Sequence, residues 1–260
     1  MSSRLIMKNE FNTIDFENKW VVVSGASSGI GRGIARALAA CNANLVLLGR
    51  NEKTLAETAE NIPSENVKLL VVDLSNSDTI LPQMKKVTGE TGAIYGFCHC
   101  AGIVDTRPIG VTTPDSILKQ LNINLIAGTE IVRALSKRGA MAEPGSIVFI
   151  SSVYAHVGGA CETAYCATKG AVSAAVRAMA VELSAKNIRV NSVSPGFVHT
   201  AMTDKQSKLT EEQLEAIVKK HPLGAGTAED VARAVIFLLY HKNKWITGTD
   251  MIVDGGYTSI

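Results

Sequence analysis

The sequence has no uninterrupted apolar run of the roughly 20 residues that a bilayer-spanning helix needs. Its N-terminal stretch lacks the apolar segment and the small-residue cleavage site of a secretory signal peptide. There is no dense run of lysine and arginine, and a formal net charge of +2 is too balanced for a nucleic-acid surface. We therefore expect a cytoplasmic protein that has neither a membrane nor a nucleic-acid partner.

Cysteine is also scarce. Five thiols, an odd number at scattered positions, argue against a disulfide framework. Cys98, His99 and Cys100 are adjacent in FCHCAG, but on a strand the two thiols would face one way and the imidazole the other. Because no second ligand cluster completes a tetrahedral set, we expect reduced thiols and no metal site.

The chain does have enough apolar residues for a large core. Of its 260 residues, 46% are apolar and 19% are charged, which excludes wholesale disorder. Short runs rich in valine, isoleucine and leucine alternate with longer amphipathic stretches. Such runs suit a parallel sheet that is covered on both faces, and their alternation with helices predicts right-handed crossovers.

We therefore predict an α/β fold, a Rossmann-type doubly wound parallel sheet of about seven strands with helices on both faces. Residues 1–15 are expected to form an N-terminal arm, and residues 16–260 a single domain. The predicted strands are 20–25, 43–49, 67–74, 93–102, 145–152, 188–196 and 251–256. The predicted helices are 29–41, 52–62, 77–88, 114–138, 162–185 and 228–240.

A glycine-rich stretch, SGASSGIG, lies between the first predicted strand and the first predicted helix. Glycine lets the backbone approach a pyrophosphate closely, and a helix N-terminus offers unpaired N–H groups and a positive dipole end. The spacing is G-x-x-x-G-x-G, and an ordinary tight turn is the alternative. Its position after the first strand favours a dinucleotide site formed by Gly25, Ser27, Ser28, Gly29, Ile30 and Gly31.

The end of the second predicted strand bears on the cofactor. A site for the unphosphorylated dinucleotide usually has Asp or Glu about 20 residues past the glycines, where it binds the ribose 2′-hydroxyl. Here the sequence is LLGRNEK, and Arg50 could pair with a 2′-phosphate. We expect NADP(H) to be favoured over NAD(H), with a solvated loop arginine as the alternative. Asp73, with Leu74 beside it, is expected near the adenine, or else caps the next segment.

The stretch AYCATKG places Tyr165 and Lys169 four positions apart, which makes them neighbours on a helical face. A second tyrosine, Tyr240, also has a lysine four positions later, so spacing alone does not identify a site. Ser152 precedes Tyr165 by 13 residues and ends a predicted strand, where ligands bind in open α/β sheets. The equivalent residue before Tyr240 is Thr227, which has the character of a helix N-cap.

The first pair can perform acid–base chemistry. A lysine ammonium beside a phenol favours the phenolate, so we expect Lys169 to lower the pKa of Tyr165 from about 10. Such a tyrosine can donate its proton to a carbonyl oxygen as a hydride reaches the carbon. Ser152 would hold the same oxygen, and Lys169 could also hold the nicotinamide ribose. The expected substrate is a small-molecule carbonyl or secondary alcohol.

These motifs resemble those of the short-chain dehydrogenase/reductase family, over residues 18–257. SGASSGIG is similar to the family's T-G-x-x-x-G-x-G, with serine in place of threonine, and YCATK matches its Y-x-x-x-K. The resemblance implies that Ser152, Tyr165 and Lys169 are catalytic. It also implies that Asn124, in NINLIAG, supports a proton-relay water, with Asn122 as the rival two residues upstream.

Two further stretches resemble cofactor contacts of the family. The family's N-N-A-G is HCAG here, so the small residues remain while His99 and Cys100 replace two asparagines. We therefore expect backbone contacts to survive at this position. SPGFVHT resembles the stretch that contacts the nicotinamide carboxamide. The cofactor residues implied by these stretches are Ala101, Gly102, Pro195, Gly196, Val198 and Thr200.

Within the family, the chain most resembles 3-oxoacyl-[acyl carrier protein] reductases, which implies a thioester substrate carried on acyl carrier protein, and the family implies a homotetramer. The enoyl-reductase branch spaces its tyrosine and lysine more widely. Sugar, polyol and steroid dehydrogenases share the framework and remain alternatives, as does a non-catalytic regulatory protein that binds a dinucleotide. The predicted substrate loop, 199–224, contains lysines that could meet an acidic carrier or form a solvated face: Lys205, Lys208, Lys219 and Lys220.

Overall fold

The computed structural model describes residues 14–199 and 210–259. Most of the predicted arm, residues 1–13, lies outside this range, as do Thr200, Lys205 and Lys208 of the predicted substrate loop. Seven strands are present in the described residues. They are β1 (Trp20–Ser24), β2 (Asn44–Gly49), β3 (Val67–Val71), β4 (Ile94–His99), β5 (Met141–Ile150), β6 (Ile188–Pro195) and β7 (Asp250–Val253).

These strands form one sheet in the order β3-β2-β1-β4-β5-β6-β7, and every neighbouring pair is parallel. From β1 the chain winds outward through β2 and β3, then crosses to β4 and winds the other way. The strand order therefore reverses between β1 and β4, and ligands of such sheets bind at this point, beyond the carboxyl ends of the strands. The prediction of a doubly wound, Rossmann-type α/β fold is confirmed.

Helices cover both faces of the sheet. Several begin at a side-chain cap. The N-cap predicted at Thr227 is confirmed, because its hydroxyl accepts from Asp230 N–H at the start of the last helix. No helix within the described ranges has the length and apolar character to span a membrane. The helices are α1 (Gly29–Ala40), α2 (Glu52–Ala59), α3 (Ser77–Thr91), α4 (Pro114–Leu121), α5 (Ala127–Leu135), α6 (Thr163–Leu183), α7 (Glu211–Val218) and α8 (Ala228–Leu239).

The prediction of a single continuous helix over 114–138 is wrong. A turn of π-helix, Asn122–Ile126, separates α4 from α5, and α5 ends at Leu135. The π turn inserts one extra residue per turn, which rotates the side chains that follow it. Its central residue, Asn124, is fully buried.

The core consists of two apolar layers, one on each face of the sheet. On one face Val21 packs with Ile34 of α1 and Val235 of α8. The next residue of β1, Val22, points to the opposite layer, which contains Ile131 of α5. Burying each such side chain contributes about 1.5–3 kcal/mol to folding. Because both faces of the sheet are apolar, the strands are continuous hydrophobic runs in the sequence.

Candidate active site

A cleft of about 280 Å³ lies at the carboxyl ends of the strands, over the point where the strand order reverses. Most residues that the sequence assigns to the site line this cleft. They are Gly25, Ser27, Ser28, Gly29, Ile30, Gly31, Arg50, Asp73, Leu74, Ala101, Gly102, Ser152, Tyr165, Lys169, Pro195 and Gly196. The fold thus brings segments from all along the chain to one place.

The glycine loop joins β1 to α1 and has no room for a side chain at Gly25 or Gly31. Gly25 has φ +65°, and a Cβ added there would lie 2.7 Å from the backbone nitrogen of Ala101. A Cβ on Gly31 would lie 2.2 Å from the carbonyl oxygen of Gly25. Ser28, the N-cap residue of α1, makes no side-chain cap bond, so the first N–H groups of this helix can receive a phosphate.

The adenosine end of the cleft contains Arg50 and Asp73. Arg50 is exposed and follows Gly49, the last residue of β2. The carboxylate of Asp73 accepts hydrogen bonds from Ser75 N–H and Oγ–H at 3.0 and 2.8 Å. These bonds from Ser75 hold the pKa of Asp73 below its usual value, and the charge of Arg50 lowers it further. Asp73 therefore lines the cleft and also caps the turn that follows it.

Helix α6 presents Tyr165 and Lys169 to the cleft from successive turns. The Nζ atom of Lys169 lies 5.5 Å from the centre of the Tyr165 ring and donates a hydrogen bond of 2.8 Å to Ile150 O. Ser152 lies just beyond the end of β5 and is 7% exposed, whereas Lys169 is 4% exposed. The second tyrosine with a lysine four residues later, Tyr240, ends α8 and does not line the cleft.

The pKa of Tyr165 differs from the sequence-based prediction. Desolvation of the phenol raises the pKa of Tyr165 to about 12, although hydrogen bonding to Ser152 lowers it in part. Burial also lowers the pKa of Lys169 to about 8, while the charges of Cys100 and Asp250 act in the opposite direction. The expected lowering of the tyrosine pKa by its lysine is therefore wrong for the protein without cofactor, because burial of the phenol dominates and the neighbouring Glu162, Tyr154 and Cys166 raise the pKa further.

Asn124 lies behind the cleft wall, within the π turn. Its Oδ1 accepts Ile103 N–H at 2.8 Å, and its Nδ2 donates to Ile103 O and Thr168 Oγ1 at 3.0 Å each. A Cβ on Gly102 would lie 3.3 Å from Asn124 Oδ1 and 3.7 Å from Lys169 Nζ, so these groups meet at the same point of the wall. The rival, Asn122, is exposed at the start of the π turn.

Besides Asn124, one assigned residue of the described range does not line the cleft, and a second falls outside that range. Val198 is buried, pairs with Gly226 in an isolated bridge and does not line the cleft, and Thr200 lies outside the described residues. The structure also adds cleft residues that the sequence assignment left out. Most are immediate neighbours of assigned positions, so extending each motif by one or two residues finds them: Val72, Ser75, Cys100, Ile103, Val104, Ile123, Ile150 and Ser151.

A polar cluster behind α6 was not predicted. The carboxylate of Asp250, at the start of β7, accepts hydrogen bonds from Ser173 Oγ at 2.5 Å and Ser194 Oγ at 2.8 Å. It also lies 3.0 Å from Nε2 of His156. The Ser173 hydroxyl lies 3.0 Å from that of Ser151, which donates to Lys169 O. The residues that form this cluster are too far apart in the sequence for any local pattern to join them.

The described cysteines and acidic residues form no metal centre. No group of three or more possible ligand side chains converges within residues 14–199 and 210–259. All five cysteines are free. Sγ of Cys98 and Sγ of Cys100 lie 3.4 Å apart on one side of β4, whereas His99 packs on the other side, as the strand alternation predicts.

Comparison with known proteins gives the same result as the fold and the cleft. Residues 25–258 match a family model described as enoyl-(acyl carrier protein) reductase. The chain is 35% identical to a 3-oxoacyl-[acyl-carrier-protein] reductase FabG of Rickettsia typhi, over 94% of this chain and 98% of that protein. It is 34% identical to carbonyl reductase family member 4 of Danio rerio, over 92% of this chain and 98% of that protein.

Solved structures agree. A short-chain dehydrogenase/reductase of Brucella melitensis, described as SDR:Glucose/ribitol dehydrogenase, superposes with a TM-score of 0.87 at 30% identity, covering 95% of this chain and 99% of that one. A short-chain type dehydrogenase/reductase of Mycobacterium ulcerans gives 0.87 at 29% identity, covering 94% and 91%. The chain therefore belongs to the short-chain dehydrogenase/reductase family and is an oxidoreductase of that family.

Proposed function

We propose that this enzyme transfers hydride between NADP(H) and a carbonyl or secondary-alcohol carbon, with a 3-oxoacyl thioester on acyl carrier protein as its substrate. The observation that carries the proposal is that Ser152, Tyr165 and Lys169 line the same cleft as the glycine loop. The names of two relatives, a 3-oxoacyl-[acyl-carrier-protein] reductase and a carbonyl reductase, support a ketone substrate. The name of one structural relative, glucose/ribitol dehydrogenase, supports a sugar or polyol as the second candidate.

The family model's description raises the reduction of an enoyl double bond as an alternative. The spacing of Tyr165 and Lys169 favours the carbonyl instead. Four residues place the phenol and the amine on adjacent turns of α6, with Ser152 beside the phenol. Two hydroxyls that converge in this way suit one substrate oxygen that gains or loses a proton.

The cleft has the features that a phosphorylated dinucleotide requires. The close contacts at Gly25 and Gly31 leave backbone, rather than side chains, facing a pyrophosphate at the N-terminus of α1. Arg50 offers a guanidinium to a 2′-phosphate, and this position of LLGRNEK has no acidic side chain that would repel it. Asp73 and Leu74 would border the adenine. When bound, the reduced cofactor supplies the hydride.

The residues of the chain would manage the proton. With a pKa of about 12, the Tyr165 phenol stays protonated at neutral pH and is ready to donate to the oxygen of a carbonyl substrate. The Ser152 hydroxyl would hold the same oxygen in place. Lys169 would hold the nicotinamide ribose and, when charged, stabilise the phenolate that proton transfer leaves behind. Asn124 would support the water that returns a proton to this site.

The same proposal includes the cellular location, the oligomeric state and the domain organisation of the enzyme. We place it in the cytoplasm as a homotetramer, with residues 16–260 as one domain. Trp245 and Val181 are 97% and 77% exposed in the single chain, which supports burial against other subunits. Lys219 and Lys220 are exposed beyond α7 and could meet an acidic carrier.

The direct test is the oxidation of NADPH with acetoacetyl thioesters and simple ketones, and the reduction of NADP+ with polyols, in the wild type and in Tyr165→Phe. We expect the variant to lose at least about 100-fold in kcat, because it removes the general acid while keeping the ring. Tyr240→Phe is the matched control, and its kcat should stay within about twofold of the wild type. Equal turnover by Tyr165→Phe and the wild type would reject the catalytic assignment. Turnover of polyols but of no ketone would favour the second candidate.

A further inference from the structure

His99 ends β4 directly beneath the cleft, and neither the catalytic assignment nor the cofactor assignment uses it. Its side chain belongs to a residue that is 1% exposed, and its ring centre lies 6.0 Å from that of Phe97 and 5.3 Å from that of Phe149. A Cβ on Gly128 of α5 would lie 2.7 Å from Cδ2 of this imidazole. The ring therefore sits in a closely fitted slot between the sheet and α5.

Both ring nitrogens of His99 have partners. Nε2 lies 3.1 Å from Ile123 O, and because a carbonyl oxygen can only accept, Nε2 carries the hydrogen. Nδ1 is then an acceptor, and the Ser24 hydroxyl donates to it at 2.9 Å. Ser24 Oγ in turn accepts the backbone N–H groups of Cys100 and Ala101 at 3.2 Å each. One neutral tautomer satisfies the whole chain of hydrogen bonds.

The bond to Ile123 O has a specific structural reason. In an α-helix the N–H of Ala127 would donate to the carbonyl four residues earlier, which is Ile123 O. In this protein it donates to Asn122 O, because the segment is a π turn. The imidazole therefore supplies a donor to a carbonyl that has lost its usual helical partner. This carbonyl belongs to the residue that immediately precedes Asn124.

The partners of His99 are parts of the cleft. Ser24 directly precedes Gly25 of the glycine loop, and the Cys100 and Ala101 amides form the cleft floor. Asn124 continues the path, since its amide donates to Thr168 Oγ1, and that hydroxyl donates to Tyr165 O at 2.9 Å. Hydrogen bonds thus connect the cofactor loop to the segment that holds the phenol.

We propose that His99 is a positioning residue, whose neutral imidazole fixes the π turn, and with it Asn124, against the floor of the cleft. The proposal rests on the role given to Asn124 under Proposed function. It also accounts for a departure from the family pattern. An asparagine amide presents one acceptor and one donor on two atoms that share a carbon, as a neutral imidazole does, so the histidine offers the same pair of groups as the first asparagine of N-N-A-G.

The alternative is that His99 only fills space between Phe97 and Phe149, and two variants separate the two roles. His99→Asn retains an acceptor and a donor but loses the ring, whereas His99→Leu retains apolar bulk but loses both hydrogen bonds. We expect His99→Asn to keep kcat within about threefold and His99→Leu to lose about tenfold or more, because a misplaced catalytic group is costly. Both variants are compared at equal helical content by circular dichroism.

A spectroscopic measurement on the intact protein does not depend on activity. With ¹⁵N-labelled histidine and asparagine, we expect His99 to be protonated at Nε2 and not at Nδ1 from pH 5.5 to 8. The side-chain amide signal of Asn124 should shift in His99→Leu and stay near its wild-type position in His99→Asn. If His99→Leu does not fold, Ser24→Ala takes its place: it leaves the bond to Ile123 intact, so the Asn124 signal should stay while the Nδ1 signal of His99 shifts.

Several outcomes would overturn the positioning role. They are the Nδ1-protonated tautomer, an unchanged Asn124 signal in folded His99→Leu, and an equal loss of kcat in His99→Leu and His99→Asn. The two proposals can also fail separately. A wild-type protein that reduces no carbonyl compound, yet shows the expected tautomer and Asn124 shifts, would reject the proposed function and leave the positioning of Asn124 intact.

Discussion

At Lys169, burial disfavours the positive charge that the proposed function requires. Its amine is almost fully buried and donates a hydrogen bond to the carbonyl of Ile150. Burial lowers the pKa of Lys169 to about 8, and without the charges of Cys100 and Asp250 it would fall further. Asp250 lies outside the cleft but contacts α6 through Ser173. The charge state of the amine therefore depends on a carboxylate that does not line the cleft.

Cofactor binding should depend on pH in a way that reports this amine. Since the folded pKa of Lys169 is about 8, its positive charge is present below that pH and is lost as pH rises through it. We expect the affinity for NADPH, measured by fluorescence titration, to weaken as pH rises above about 8. Asp250→Asn should move this midpoint to lower pH, because it removes a charge that raises the pKa of Lys169. A midpoint that does not move would mean that Asp250 has no electrostatic effect on the amine.

Arg50 should set the choice between the two nicotinamide cofactors. The guanidinium can make charge-assisted hydrogen bonds to a 2′-phosphate, each stabilising by about 1.5–3 kcal/mol, and none of these is available with NADH. We therefore expect Arg50→Ala to raise the KM for NADPH by about tenfold or more and to leave the KM for NADH within about twofold. Steady-state kinetics with both cofactors measures this. An unchanged ratio would show that another group selects the phosphate.

The element that forms the proposed cofactor site is the turn between β1 and α1. A parallel strand feeding a helix requires a sharp change of direction, and here two glycines adopt positive φ, Gly25 at +65° and Gly29 at +53°. Gly31 has an ordinary φ but lies against the carbonyl of Gly25, so the helix can start this close only without a side chain. The glycine pattern in the sequence thus specifies both the positive φ angles of the turn and the close contact between Gly31 and the carbonyl of Gly25.

Two glycine-to-alanine substitutions should separate the effect of the close contact at Gly31 from the general effect of replacing a glycine in a helix. Gly31→Ala would place a methyl group 2.2 Å from Gly25 O, and because the clash is with backbone we expect it to abolish cofactor binding. Gly89 is an exposed position of α3, and no atom lies within 4 Å of a Cβ added there. Gly89→Ala should therefore stabilise the protein by about 1 kcal/mol and leave the activity unchanged. Thermal unfolding and NADPH titration measure both effects. Cofactor binding by Gly31→Ala equal to that of Gly89→Ala would contradict the close-contact argument.

A second element, the π turn at Asn122–Ile126, could not be read from the sequence. The apolar pattern over 114–138 suits a continuous helix, because one inserted residue changes the register too little to disturb a pattern of this length. The turn is identified in the structure by its backbone hydrogen bonds and by the bond that His99, at the end of β4, makes to Ile123 O. Motif resemblance nonetheless pointed to Asn124, since a motif records the residue and not the helix type that presents it.

At the scale of the whole molecule, the seven-stranded parallel sheet buries ionisable groups that must remain neutral. His99 is the clearest case. Burial lowers its pKa to about 4 from the ordinary value of 6.5, and the charge of Lys169 acts in the same direction, whereas the hydrogen bond to Ile123 O raises it in part. The unfolded chain therefore binds a proton between pH 6.5 and about 4 that the folded chain does not bind. Stability rises with pH across this interval and falls as the protein is acidified.

The unfolding free energy should show this linkage. Relative to neutral pH, His99 should reduce stability by up to about 3 kcal/mol once the pH has fallen below about 4. His99→Asn has no group that titrates there, so the stability difference between the wild type and this variant should shrink or reverse on acidification. Urea unfolding at pH 7, 6, 5 and 4.5 measures it. A difference that does not depend on pH would show that His99 ionises as readily in the folded chain as in the unfolded one.

The sequence alone determined the features that depend on local pattern. Alternating apolar runs specified the strands and helices, glycine spacing specified the turn below the cofactor, and the four-residue interval put Tyr165 and Lys169 on one helical face. Only the tertiary structure decided how these groups ionise and what holds them. The pKa values of Tyr165 and Lys169, and the partners of His99 and Asp250, depend on desolvation and on contacts between segments that are far apart in the chain. No local sequence pattern encodes the desolvation or these contacts, because both arise only when the helices pack against the sheet and bury its side chains.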